Sequence, residues 1–242
     1  MSPLTIKVCI AAIIEIAYAV FTRTWLRNHA QGIELELLTS ALRAGTAVAY
    51  WLMFRTVILS RGRPAGSIRL PLVFLGVATA LAIPVLFRGE AYGEGMTTAV
   101  VFALTSIVVG VREELLYRAV LLNLLEPRVG LTGALLISTA LFIVYHYGAL
   151  PTTALSVIEV ACMSLVLGLI YVKTGSYVAV VAFHAVYDAI WCFGPFVREP
   201  LADTWRPAFL LAALIFVFLG VWRSGGTQRT ASADGLLPSG RR

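Results

Sequence analysis

The chain has 242 residues, of which 59% are hydrophobic and 13% charged, and its mean hydropathy is +0.86. Soluble domains carry about 25% charged residues, so this composition excludes a sizeable soluble core and points to a polytopic membrane protein. The net charge of +6 does not indicate a nucleic-acid partner, because the basic residues flank apolar segments, where they set membrane orientation.

A bilayer span needs about 20 mainly apolar residues. The first runs from about Leu4 to Phe21; it lacks a small-residue cleavage site and reads as a retained helix rather than a signal peptide. A polar connection with Arg23, Arg27, His29, Glu34 and Glu36 precedes a second span, about Thr39–Leu59, which ends at Arg61-Gly62-Arg63-Pro64. The third, about Leu70–Phe87, carries Pro84 and is followed by a glycine-rich acidic loop. The fourth covers about Thr97–Leu125 and is ended by Glu126-Pro127-Arg128. The fifth, about Leu131–Tyr147, stops at Gly148-Ala149-Leu150-Pro151. A sixth, about Thr152–Val172, turns at Lys173-Thr174-Gly175 into a seventh, about Ser176–Phe193, and a charged loop leads to an eighth at about Pro207–Trp222.

The expected fold is therefore all-α: a polytopic membrane helical bundle of about eight transmembrane helices. Residues 1–222 form a single integral membrane domain in this reading, and the Ser/Gly/Arg-rich tail 223–242 is disordered. No internal repeat of the transporter kind is visible.

An even number of spans puts both termini on one side. That side holds Lys7, Arg61, Arg63, Arg69, Arg128, Lys173 and the tail arginines, whereas the opposite loops mix arginines with Glu34, Glu36, Glu90, Glu94, Glu199 and Asp203. Lys/Arg excess marks the cytoplasmic face, so both termini are expected in the cytoplasm. Cys9, Cys162 and Cys192 are isolated within apolar segments, which indicates neither a zinc ribbon nor a disulfide framework.

Within the fourth span lies Val111-Arg112-Glu113-Glu114-Leu115-Leu116-Tyr117-Arg118. Ionisable groups inside a membrane are costly and mark functional sites by default. Two of the three histidines also fall inside spans, each with a neighbour at i, i+4: Phe142 with His146, and His184 with Asp188. His29 reads as a surface residue. Counting 1.5 Å per residue from the cytoplasmic helix ends places Glu113 and Asp188 at roughly 18 Å, His184 at roughly 12 Å and His146 at roughly 22 Å, one layer near mid-membrane.

Glu114 and Arg118 have the i, i+4 spacing of a helix salt bridge, whereas Glu113 points about 100° away on the helical wheel. Glu114 with Arg118 is thus the expected structural pair, and Glu113 the carboxylate available as a general base. Among the other charged residues in spans, Arg43, Arg55 and Arg112 are expected to snorkel or pair. Glu15 and Glu159 read as inter-helix hydrogen-bonding groups, Glu159 with the further option of lining a cavity.

The set Glu113-Glu114-x-x-x-Arg118, Phe142-x-x-x-His146 and His184-x-x-x-Asp188 resembles the signature of the CPBP family, the CAAX proteases and bacteriocin-processing enzymes, also known as Abi or type II CAAX prenyl endopeptidases. The family signature is EExxxR, FxxxH and HxxxN or HxxxD on successive membrane helices, and the match covers about 101–191. The resemblance implies that Glu113 and His146 hold and activate the attacking water. It implies further that His184 and Asp188 bind the oxyanion, with Glu114, Arg118 and Phe142 in support. Asp188 stands where eukaryotic CAAX-type members have asparagine. An ionised aspartate would repel an oxyanion, so Asp188 must be protonated, act through His184, or help hold a metal.

The implied function is intramembrane endopeptidase activity on a membrane-associated peptide or protein, in the bacterial cytoplasmic membrane. A glutamate-dependent mechanism without a cofactor is favoured; the alternative is a metalloprotease with zinc held by His146, His184, Asp188 and Glu113. Competing readings are a non-enzymatic bacteriocin-immunity or membrane scaffold protein and a proton-coupled transporter.

Overall fold

A computed structural model describes residues 2–60, 95–147 and 153–189, together with positions 211 and 215. The third span expected at about 70–87, the eighth at about 207–222 and the tail 223–242 lie outside the described residues, as does the end of the seventh. Among the described residues every element is helical. Helix α1 is Pro3–Val20, α2 Gly32–Ser60, α3 Gly95–Glu114, α4 Asn123–His146, α5 Ala154–Thr174 and α6 Tyr177–Tyr187. Two π-helical segments extend them, Phe21–Leu26 after α1 and Leu115–Leu122 between α3 and α4.

Among the described residues, four stretches are long and apolar enough to cross a membrane: Pro3–His29, Gly32–Leu59, Val100–His146 and Ala154–Thr174, with the shorter apolar Tyr177–Tyr187 beside them. Ile6, Ile10, Ile13 and Ile16 form an exposed stripe along α1, the pattern of a helix that faces lipid. The chain is an integral membrane protein.

Two boundaries differ from the sequence expectation. The polar stretch after Phe21 is helical rather than a connection, because its side chains bond back to the preceding turn. Thr22 Oγ1 donates to the Tyr18 carbonyl at 2.7 Å, and Asn28 Nδ2 to that of Thr24 at 2.6 Å. The helix ends at His29, with Ala30 extended, and α2 begins at Gly32, whose φ of 54° favours glycine, so Glu34 and Glu36 fall inside α2. The second break is at Gly130 (φ 72°, ψ 170°), not at Glu126-Pro127-Arg128. Pro127 lies in the helix, and the chain turns at the residue with no side chain to clash.

The α5–α6 turn is as the sequence indicates. Gly175 closes α5 in a left-handed conformation, and Ser176 Oγ caps α6 by accepting from the Ala179 amide at 3.1 Å. Helix α6 packs along α3. Gly110 permits the close approach, since a Cβ there would stand 3.1 Å from the Val181 carbonyl oxygen and 3.6 Å from His184 Cβ. Tyr177 Oη donates to the Val111 carbonyl at 2.5 Å and ties the start of α6 to the turn that carries Glu113.

Candidate active site

The last turn of α3 presents Glu113 and Glu114 on different faces, and the two meet different surroundings. Arg118, in the π segment, puts its Nε 3.1 Å from Glu114 Oε2, the i, i+4 pair expected. Its Nη2 also donates to the Ser164 carbonyl on α5 at 3.0 Å. Both side chains are fully buried, at 1% and 0% exposure, so neither charge is screened by water and each depends on the other.

Glu114 has a second partner. Its Oε1 lies 2.8 Å from His184 Nδ1. A carboxylate paired with a guanidinium accepts hydrogen bonds, so Nδ1 carries the proton and the Nε2 edge turns toward Glu113 and Asp188. His184 Nε2 is 3.5 Å from Asp188 Oδ2 and 3.9 Å from Glu113 Oε2.

His146 ends α4. Its Nδ1 bonds the Phe142 carbonyl at 2.8 Å; a carbonyl only accepts, so Nδ1 is the donor and Nε2 faces Glu113 Oε2 at 3.8 Å. Phe142 underlies the group: its ring centroid is 4.4 Å from that of His146, 6.4 Å from that of His184, and 4.9 Å from the Arg118 guanidinium. The structure thus brings together every residue named from the motifs.

Glu113 Oε2 is buried and has no hydrogen-bond partner. It borders a cavity of about 280 Å³ that His146, His184, Asp188 and Glu159 also line, and that continues past Tyr18 to Arg23, Glu36 and Arg43. An orphaned carboxylate oxygen between two imidazole edges, beside a cavity, is a place for a third polar atom.

Residues 95–190 match the family model described as type II CAAX prenyl endopeptidase Rce1-like. That segment, and the motifs within it, is similar to the Rce1-like proteins of the CPBP family. No curated protein and no solved structure matches the chain. The family is one of membrane proteases, and its matched segment begins with α3 and runs through α6.

Zinc can be tested against these residues. Glu113, His146, His184 and Asp188 are zinc-binding residue types, yet among the described residues no three His, Cys, Asp or Glu side chains are grouped to hold one ion.

Several contacts around the candidate site are absent from the motifs. Arg112 is 1% exposed and fully engaged. It donates to Glu15 Oε1 at 2.6 Å, to Tyr145 Oη at 2.8 Å and to Thr46 Oγ1 at 2.9 Å, and its guanidinium lies 4.2 Å from the centre of the Tyr18 ring. Glu15, legible only as an inter-helix hydrogen-bonding group, is therefore the counter-ion of Arg112, and Tyr50 Oη donates to it as well. Glu159 accepts from Tyr187 Oη at 2.7 Å and lines the cavity. Arg43 pairs at 3.6 Å with Glu36, and Arg55 is exposed.

Proposed function

We propose that this chain is an intramembrane endopeptidase that hydrolyses a peptide bond of a membrane-associated peptide or protein, with Glu113 as general base. The observation that carries the reading is the unsatisfied Glu113 Oε2, 3.8 Å from His146 Nε2 at the edge of the cavity. One water fits between them, donating one hydrogen to Glu113 Oε2 and the other to the His146 Nε2 lone pair. Its own lone pairs are then free to attack a substrate carbonyl in the cavity.

Attack transfers a proton from the water to Glu113 as the C–O bond forms, and charge develops on the carbonyl oxygen. His184 is the group to meet that charge. Its Nδ1–H is committed to Glu114, so a second proton on Nε2 makes the ring an oxyanion donor. Asp188, 3.5 Å from that nitrogen, acts in this scheme through His184 rather than on the oxyanion itself. Collapse of the intermediate breaks the C–N bond, and Glu113 returns its proton to the leaving amine. Glu114, Arg118 and Phe142 hold the two imidazoles.

The test compares new protein termini in a membrane-extracted protein pool treated with wild type or Glu113→Gln, with and without a chelator. Termini produced by wild type alone support the reading. Loss of cleavage on chelation would transfer the chemistry to zinc. Identical pools from two folded proteins would leave the non-enzymatic immunity or scaffold reading.

A further inference from the structure

Helix α1 lies outside the residues 95–190 that match the family model, yet two of its lines of contact reach the turn that holds His146. Arg23, in the π segment continuing α1, donates from Nη1 to the Tyr147 carbonyl and from Nη2 to the Tyr145 carbonyl. These residues flank His146 in sequence. Helix α4 ends there, with Tyr147 leaving helical geometry at φ −59°, ψ 126°. Carbonyls in a final helical turn lack intrahelical partners, and a cation at that end complements the helix dipole. The planar fork of a guanidinium spans two such carbonyls at once.

The second line is relayed through the site helix. Glu15 on α1 binds Arg112 Nη2 at 2.6 Å, and Arg112 Nη1 donates to Tyr145 Oη at 2.8 Å. Both lines thus converge on 145–147. The His146 ring is otherwise bonded within its own helix, through Nδ1 to the Phe142 carbonyl. Its Nε2 is therefore placed only as well as the helix end that carries it.

We propose that Arg23 is a positioning residue for His146, so that α1 belongs to the catalytic apparatus of this chain. The kinetic part of this proposal rests on the peptidase reading; the structural part does not. Amide hydrogen exchange on the purified full chain in detergent, as wild type, Arg23→Ala and Arg23→Lys, reads the structural part. Exchange at the amides of His146 and Tyr147 should rise about 10-fold or more in Arg23→Ala. It should rise less in Arg23→Lys, which keeps the charge but not the fork, and α3 and α5 should be unaffected in both. Unchanged exchange at these two amides overturns the proposal. If Arg23→Ala loses protection throughout, the Arg23→Lys comparison decides.

On a substrate that wild type cleaves from the membrane pool, kcat should fall roughly 10- to 100-fold in Arg23→Ala with KM nearly constant, the result of a misplaced group. A raised KM with unchanged kcat would make Arg23 a substrate contact and overturn the positioning role. If wild type cleaves nothing, the peptidase reading fails, while the exchange data still decide the clamp.

Discussion

Glu113 Oε2 stands 3.8 Å from His146 Nε2, beyond hydrogen-bond length and within the span of a single bridging water. The two side chains come from α3 and α4, and after the break at Gly130 α4 packs back against the Leu115–Leu122 π segment that continues α3. In the proposed mechanism this gap is where the attacking water sits, since a direct bond would leave it no place.

Glu113→Gln keeps the shape of the side chain and removes the base. Cleavage should fall by roughly 10²- to 10⁴-fold, the range contributed by general bases, while the thermal unfolding midpoint in detergent stays near that of wild type. Retained cleavage at the wild-type rate would remove Glu113 from the mechanism.

With Glu113 as general base and no metal, chelation should leave activity within about 2-fold of the untreated enzyme. Activity lost to a chelator and restored by added zinc would assign His146, His184, Asp188 and Glu113 as ligands instead.

Asp188→Asn should retain activity within about 10-fold, whereas Asp188→Ala should lose more, since the amide can still bond His184 Nε2 across the 3.5 Å gap. Equal losses in the two variants would mean that the carboxylate itself is required.

Removing one member of the Glu114–Arg118 pair strands the other charge. Arg118→Ala should cost about 3–5 kcal/mol of stability, read as a lowered unfolding midpoint and poor yield. Glu114→Gln combined with Arg118→Met should cost less than the two single losses summed. Additive effects would show that the pair is not energetically coupled.

Gly110→Ala should weaken the α3–α6 contact, because the added methyl meets the Val181 backbone 3.1 Å away. The helices would have to part by a few tenths of an ångström beside His184, lowering both the unfolding midpoint and kcat. A variant that matched wild type in both measures would show that the helices part there without cost.

The grouping of the candidate site residues was legible from the sequence because their motifs are local. Spacings of i, i+4 report which side chains share one helical face, and the Glu114–Arg118 pair and the Phe142–His146 contact are of that kind. What spacing does not encode is the rotation of one helix against another. The Glu114–His184 bond joins α3 to α6, and the Glu15–Arg112 pair joins α1 to α3; neither follows from any single helix. The π segments were equally hidden, since hydrophobic patterning does not distinguish a widened turn from an α-helical one. Arg23 and Asn28 read as loop residues because polarity suggested water, whereas their donors are satisfied by backbone carbonyls.

The buried engagement of Arg112 bears on how the protein enters its membrane. A lone span carrying Arg112, Glu113, Glu114 and Arg118 is a poor substrate for insertion, since an arginine or a carboxylate at mid-span costs about 2.5–3.5 kcal/mol on insertion scales. The ribosome, however, delivers α1 and α2 first, and with them Glu15 and Thr46, two of the groups that Arg112 binds. The N-terminal helices thus carry ready-made partners for Arg112 before α3 is translated, whereas Ser164 and His184, which bind Arg118 and Glu114, arrive after it.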